Sequence, residues 1–236
     1  MAKPMTPAQW RAALRAEGVK FSEYSVDGKS WTEHNRNHKG PFSNVNGVVI
    51  HHTAGTNSLR LVWSGTAELP GPLAHAHLDK SGVVTLTSSG RANHAGSFAQ
   101  NAHDAVVAEA KVHPKPSASE QVDGNAHYYG IEVENRGVSS DPYPAVQYDM
   151  IVRWAAAICR HHGWTAQSVI GHREGTTRKI DPIYSMNAFR TAVDERLKHE
   201  AGWTKPSVTP PPPAAKTLEQ RVASLEGRVR KLEDGG

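Results

Sequence analysis

Apolar residues recur along this 236-residue chain with two different spacings, and the spacing changes from segment to segment. Over residues 144–162, Val146, Met150, Ile151, Trp154, Ala155 and Ile158 fall three and four positions apart, which predicts an amphipathic helix stopped by Gly163. Met186, Phe189, Val193 and Leu197 predict a second helix over 185–199. A first helix is expected after Thr6, an N-cap, with Pro7 in the first turn, Trp10, Ala13 and Leu14 as its stripe and Gly18 at its end. Elsewhere the period shortens to two. GVVIHHTAG (47–55) reads as a short buried strand running into two histidines, and LAHAHLDKSGVVTLT (73–87) reads as a hairpin turning at Asp79-Lys80-Ser81-Gly82. NAHYYGIEVEN (125–135) reads as a strand that turns Glu132 and Glu134 to one face and Ile131 and Val133 to the other. WTAQSVIGH is a short strand ending on His172. Residues 19–45 show little periodicity and read as a long surface loop. Helices and strands alternate loosely, so the expected class is α/β, a mixed central sheet flanked by helices.

The pattern also divides the chain. Residues 1–44 are expected to pack as a helix and loop on a main domain over 45–203. Residues 204–216 form a Pro-rich linker with little capacity to pack. Over 217–236, Leu218, Val222, Leu225, Val229 and Leu232 alternate gaps of four and three, which predicts a short coiled-coil helix and a homo-oligomer, dimer or trimer.

Composition narrows the partners. With 38% hydrophobic and 21% charged residues and a net charge of +4, the chain reads as a soluble globular protein, mildly basic and suited to an anionic surface. No Lys/Arg cluster with interleaved aromatics is present, which argues against nucleic acid. No transmembrane segment or apolar signal-peptide core is visible, so the expected location is the cytoplasm until something releases the protein. The one cysteine, Cys159, excludes a disulfide framework and reads as a buried small hydrophobe.

The 14 histidines raise the prior for a metal site. IGHREGTTRKIDP (170–182) places His172, Lys179 and Asp181 within ten residues, again at a strand end. Together with His51 this offers two imidazoles and a carboxylate, a donor set that suits Zn2+ with one position left open for hydrolysis.

VVIHHTAG, LAHAHLDKSG, NHAG, YGIEVEN and GHREGTTRKIDP, in this order, resemble the zinc-dependent N-acetylmuramoyl-L-alanine amidases. That amidase type is shared by phage endolysins, cell-wall-recycling amidases and peptidoglycan recognition proteins. The resemblance covers roughly residues 45–200 and implies the fold of that family. It implies His51, His172 and Asp181 as zinc ligands, the last as in recycling-type enzymes, with His52 turned away by strand alternation. It implies Glu132 as general base, with Glu134 the competitor on the same face, and Lys179 beside the oxyanion. Some phage members carry a catalytic tyrosine where this chain has Ala74, which favours the glutamate. His94 matches a substrate-contacting histidine, while His75 and His77 are expected to support the site and not to ligate. Members commonly carry glycine after the Asp-Pro pair, where this chain has Ile183.

The function so implied is hydrolysis of the amide between N-acetylmuramic acid and L-alanine in peptidoglycan by a wall-lytic endolysin. The alternatives are a cytoplasmic muropeptide-recycling amidase and a non-catalytic peptidoglycan-binding module. The binding module predicts a lost zinc ligand, and none is lost.

Overall fold

The computed structural model describes residues 2–204. The heptad segment 217–236, its expected oligomer, and the linker from residue 205 onward therefore lie outside the described residues.

Helix α1 (Pro7–Ala16) starts where Thr6 predicts: the Thr6 hydroxyl accepts the Gln9 backbone N–H, and the Gln9 side chain accepts the Thr6 N–H at 2.8 Å. Six strands build the central sheet. They are β1 (Phe21–Glu23), β2 (Gly47–His52), β3 (Ala76–Leu78), β4 (Val84–Leu86), β5 (Tyr128–Val133) and β6 (Val169–Gly171). Their order is β1-β4-β3-β5-β2-β6, and every neighbouring pair is parallel except the β3–β4 hairpin. The sheet is mixed, as expected. Four more helices longer than one turn follow among the described residues: α2 (Leu59–Ser64), α3 (Gln100–Val107), α4 (Ala145–His162) and α5 (Met186–Leu197). Gly163 closes α4 with φ +68°, and the Ser185 hydroxyl caps α5 by accepting the Ala188 N–H.

Both faces of the sheet are covered. On one, Trp10, Leu14, Trp154, Ile158 and Phe189 of α1, α4 and α5 pack on Val48, Ile50, Ile131 and Val169. On the other, Phe98, Ala102 and Val106 cover Val49, Tyr128 and Ile170. That two-sided burial is why β2 reads as an unbroken apolar run and not as an alternation. Cys159 is fully buried within α4, and burial pushes its thiol up.

Several elements differ from expectation. Residues 19–45 are not simply a surface loop, because β1 is an edge strand of the central sheet. Only Phe21 in it is apolar, and its partner β4 lies some sixty residues downstream, so no local pattern marks it. Helices α2 and α3 have only six and eight residues, too short for a clear period. The strand expected over 125–135 opens with a helical turn, Gly124–His127, before β5 begins. Strand β6 ends at Gly171, and His172 instead opens a one-turn helix, His172–Gly175. Val146, placed on the apolar stripe of α4, is 48% exposed at its first turn. No helix among the described residues is long and apolar enough to cross a membrane.

Candidate active site

Parallel strands present their carboxyl ends together, the usual position for a site in an α/β sheet. Here β2 and β5 pair so that His51 stands opposite Glu132, and β5 and β3 so that Glu132 stands opposite His77. One row of chemistry-bearing side chains thus crosses three adjacent strands. His51 shares the face of Val49, while His52 points the opposite way and its Nδ1 lies 3.1 Å from the Tyr143 hydroxyl. Gly137 leaves room for the His52 ring, since a Cβ there would come within 2.4 Å of Nε2.

His172 joins this row from β6 through its one-turn helix. Glu174 accepts the Gly171 N–H at 3.0 Å and is gripped by Arg190 of α5 with contacts of 2.8 and 2.9 Å. The loop returns so that the Arg173 N–H donates to the Asp181 carbonyl at 2.8 Å, which sets Asp181 beside His172. Ile183, in place of the family's glycine, packs partly buried against the main core.

The three donors expected from the sequence converge. His51 Nδ1 lies 2.9 Å from His172 Nδ1 and 3.3 Å from Asp181 Oδ2, and His172 Nδ1 lies 3.2 Å from that same oxygen. All three side chains are buried. Ligands about 2.0–2.1 Å from a tetrahedral zinc ion stand about 3.3 Å apart, so this triangle has the dimensions of one face of such a site. The donor chemistry fits as well, with two borderline nitrogens and one carboxylate oxygen aimed at a common point. Burial, then the neighbouring His172, pushes His51 down to about 4, so its imidazole is neutral and fit to ligate. Burial alone would raise the Asp181 carboxyl, but the imidazoles of His172 and His51, in that order, hold it well below the usual carboxylate range.

Glu132 and Asp181 line a cleft of about 370 Å³ together with Lys179, Thr53, Leu61 and Leu73. The Oε2 atom of Glu132 is shielded from solvent and has no hydrogen-bond partner. Burial, reinforced by Asp181 and opposed by Lys179, pushes its carboxyl well above the usual range. Lys179 is exposed on the rim, and it also borders a smaller adjoining recess with His94 and His172. Glu134, the competing carboxylate, is engaged elsewhere: its Oε2 accepts the Ser58 N–H at 3.5 Å and lies 3.7 Å from His77 Nε2. His77 Nε2 lies 2.9 Å from the Ser58 hydroxyl, and His75 Nδ1 accepts the Gly130 N–H at 3.0 Å. Neither belongs to the three-donor cluster.

His94 borders the recess, yet both its ring nitrogens are occupied, by His51 Nε2 at 3.0 Å and by the Tyr128 carbonyl at 3.0 Å. A substrate contact through the ring would have to displace one of them. The sequence reading missed three supports: Arg190, Glu174 and Asn125. Asn125 Oδ1 accepts the backbone N–H groups of His94, Ala95 and Gly96. The only signal for Asn125 was its place just ahead of the YGIE strand. Nothing local in α5 marks Arg190.

A family profile described as N-acetylmuramoyl-L-alanine amidase matches residues 41–183, well over half of the chain. No curated protein matches the sequence. Among solved structures, the endolysin amidase LysCS from Clostridium intestinale is 16% identical, with 66% of this chain and 81% of that chain covered and a TM-score of 0.42. The amidase AmiD from E. coli, solved with anhydro-N-acetylmuramic acid-L-Ala-D-γ-Glu-L-Lys, is 17% identical, with 72% and 65% covered and a TM-score of 0.47. The hydrolase AmiA from Staphylococcus aureus is 14% identical, with 83% and 93% covered and a TM-score of 0.49. By the profile match over residues 41–183, this chain belongs to the N-acetylmuramoyl-L-alanine amidase family.

Proposed function

We propose that the chain hydrolyses the amide between the lactyl group of N-acetylmuramic acid and the L-alanine of the peptidoglycan stem, with zinc held by His51, His172 and Asp181. The observation that carries this reading is the buried triangle of three donor atoms, 2.9–3.3 Å on a side, at a cleft that also holds the partnerless carboxylate of Glu132. Zinc bound there lowers the pKa of a coordinated water and polarises the scissile carbonyl. The chain's own groups do the rest. Glu132, whose carboxyl burial holds above its usual range, accepts the proton of the attacking water and returns it to the leaving nitrogen. The Lys179 ammonium at the cleft rim offsets the negative charge that develops on the carbonyl oxygen. Apolar side chains along the cleft, Leu61 and Ile180 among them, exclude water from around that charge and offer surface to the methyl groups of lactate and alanine.

In this reading the enzyme is a phage endolysin that acts on the intact wall, and the Pro-rich 204–216 linker with the heptad pattern of 217–236 supports an appendage that raises avidity for a repetitive polymer. The carboxylate third ligand, Asp181, favours instead a recycling amidase acting on soluble muropeptides. Comparing rates on insoluble sacculi and on soluble anhydro-muropeptides separates the two: an endolysin is faster on sacculi, and a recycling enzyme works only on the soluble fragments. The zinc requirement is tested by chelation. EDTA is expected to abolish cleavage and about one equivalent of zinc to restore it; cleavage unchanged by EDTA would remove the metal from the account.

A further inference from the structure

A chain of hydrogen bonds leads from the candidate metal site into the sheet, and its far end has only one possible polarity. The Tyr128 carbonyl can only accept, so His94 Nε2, 3.0 Å away, carries a hydrogen. His94 is buried, and its ring nitrogens meet only the His51 imidazole and that carbonyl, with no carboxylate in hydrogen-bond reach to balance a second hydrogen, so its Nδ1 is bare. That bare nitrogen lies 3.0 Å from His51 Nε2, which must therefore donate to it. A neutral His51 with its hydrogen on Nε2 has a lone pair on Nδ1, the atom that faces His172 and Asp181. We infer that His94 is a positioning residue that fixes His51 in the Nε2–H tautomer and so keeps His51 Nδ1 available as a metal ligand. Of the two imidazoles at Asp181, only His172 is then free to give that carboxylate a hydrogen in the metal-free protein.

The surroundings hold His94 to this task. Its loop is pinned by three backbone N–H groups converging on Asn125 Oδ1, at 2.9, 2.8 and 3.2 Å. Its ring lies on Gly130 of β5, where a Cβ would come within 2.4 Å of Nδ1. That is a reason for the glycine of YGIE: any side chain there pushes the imidazole off His51. The His51 and His94 rings meet edge to face with centroids 5.2 Å apart. Ligating histidines commonly donate their second ring N–H to a fixed acceptor, which sets the tautomer and raises basicity. Here that acceptor is a second imidazole, itself anchored on a strand carbonyl.

The inference rests on the zinc site proposed above, and its test separates the two. Long-range 1H–15N NMR of the metal-free full-length protein near pH 7.5 should show the Nε2–H tautomer for both His51 and His94. An Nδ1–H tautomer at either residue overturns the inference, whether or not zinc binds. Competition against a chromophoric chelator then measures zinc affinity. His94→Phe is expected to weaken it about 10–100-fold. His94→Gln should recover much of the loss, because its amide oxygen accepts from His51 and its NH2 donates to Tyr128. Unchanged affinity in His94→Phe, with KM alone raised, overturns the positioning role in favour of substrate contact and leaves the zinc site standing. Failure of the wild type to bind zinc removes the zinc site, while the tautomers still decide the hydrogen-bond chain. If His94→Phe does not fold, the wild-type tautomers decide alone.

Discussion

Replacing Glu132 by glutamine exchanges one oxygen for an amide and keeps the shape of the side chain, so it removes proton transfer while leaving the packing of the cleft. The shielded Oε2 has no partner to lose, so the variant should be at least as thermostable as the parent. Zinc content should also be unchanged, because Glu132 is outside the three-donor cluster. The loss is kinetic: a positioned general acid–base contributes about 10²–10⁴-fold, or about 3–5 kcal/mol of barrier at 1.36 kcal/mol per decade. Glu134→Gln is the control. Its carboxylate is committed to Ser58 and His77 and does not line the cleft, so kcat should stay within about tenfold. The assay is the initial rate of turbidity loss with purified sacculi, with metal content measured on the same samples. Equal losses in the two variants, or an active Glu132→Gln enzyme with full zinc, would refute the assignment.

Other consequences can be measured without substrate. His34 is buried, donates from Nδ1 to the Thr87 carbonyl at 3.2 Å and lies on Trp63, and burial lowers its pKa to about 4 from the ordinary 6.5. Below pH 6.5 the unfolded chain binds the proton that the folded ring refuses. The stabilisation is therefore complete above about 6.5 and lost as pH falls toward 4, on the order of 3 kcal/mol in all. In urea unfolding, the stability gap between wild type and His34→Gln should narrow by about 2–3 kcal/mol from pH 7.5 to pH 4.5, and a gap independent of pH would contradict this. Arg190→Met strands the Glu174 carboxylate that holds the turn bearing His172, and should cost about 3 kcal/mol of stability and weaken zinc binding; full zinc affinity would show that the clamp does not position His172.

Much of this was legible in the sequence because the relevant signals are local. The apolar run of β2, the cap at Thr6, the stop at Gly163 and the long stripe of α4 each depend on a few neighbouring residues, and each element formed where its pattern lies. The candidate ligands were legible through motif order, although His51 and His172 are 121 residues apart and only the β2–β6 pairing brings them to 2.9 Å. What was not legible depends on distant partners. Edge strand β1 exists because β4 offers it a ladder, and the choice between Glu132 and Glu134 turns on Ser58 and His77, which the alternation of one strand cannot reveal. The engagement of His94 is of the same kind, since it sits in a loop and its partners lie on β2 and β5.

The central claim is that these residues cut one particular bond, and mass spectrometry of muropeptides released from sacculi tests it most directly. Wild type is expected to give new free L-alanine amino termini with the glycan chains intact, and those termini should be absent in Asp181→Ala and after EDTA. New reducing sugar ends, or L-alanine termini that persist without the metal ligands, would contradict it.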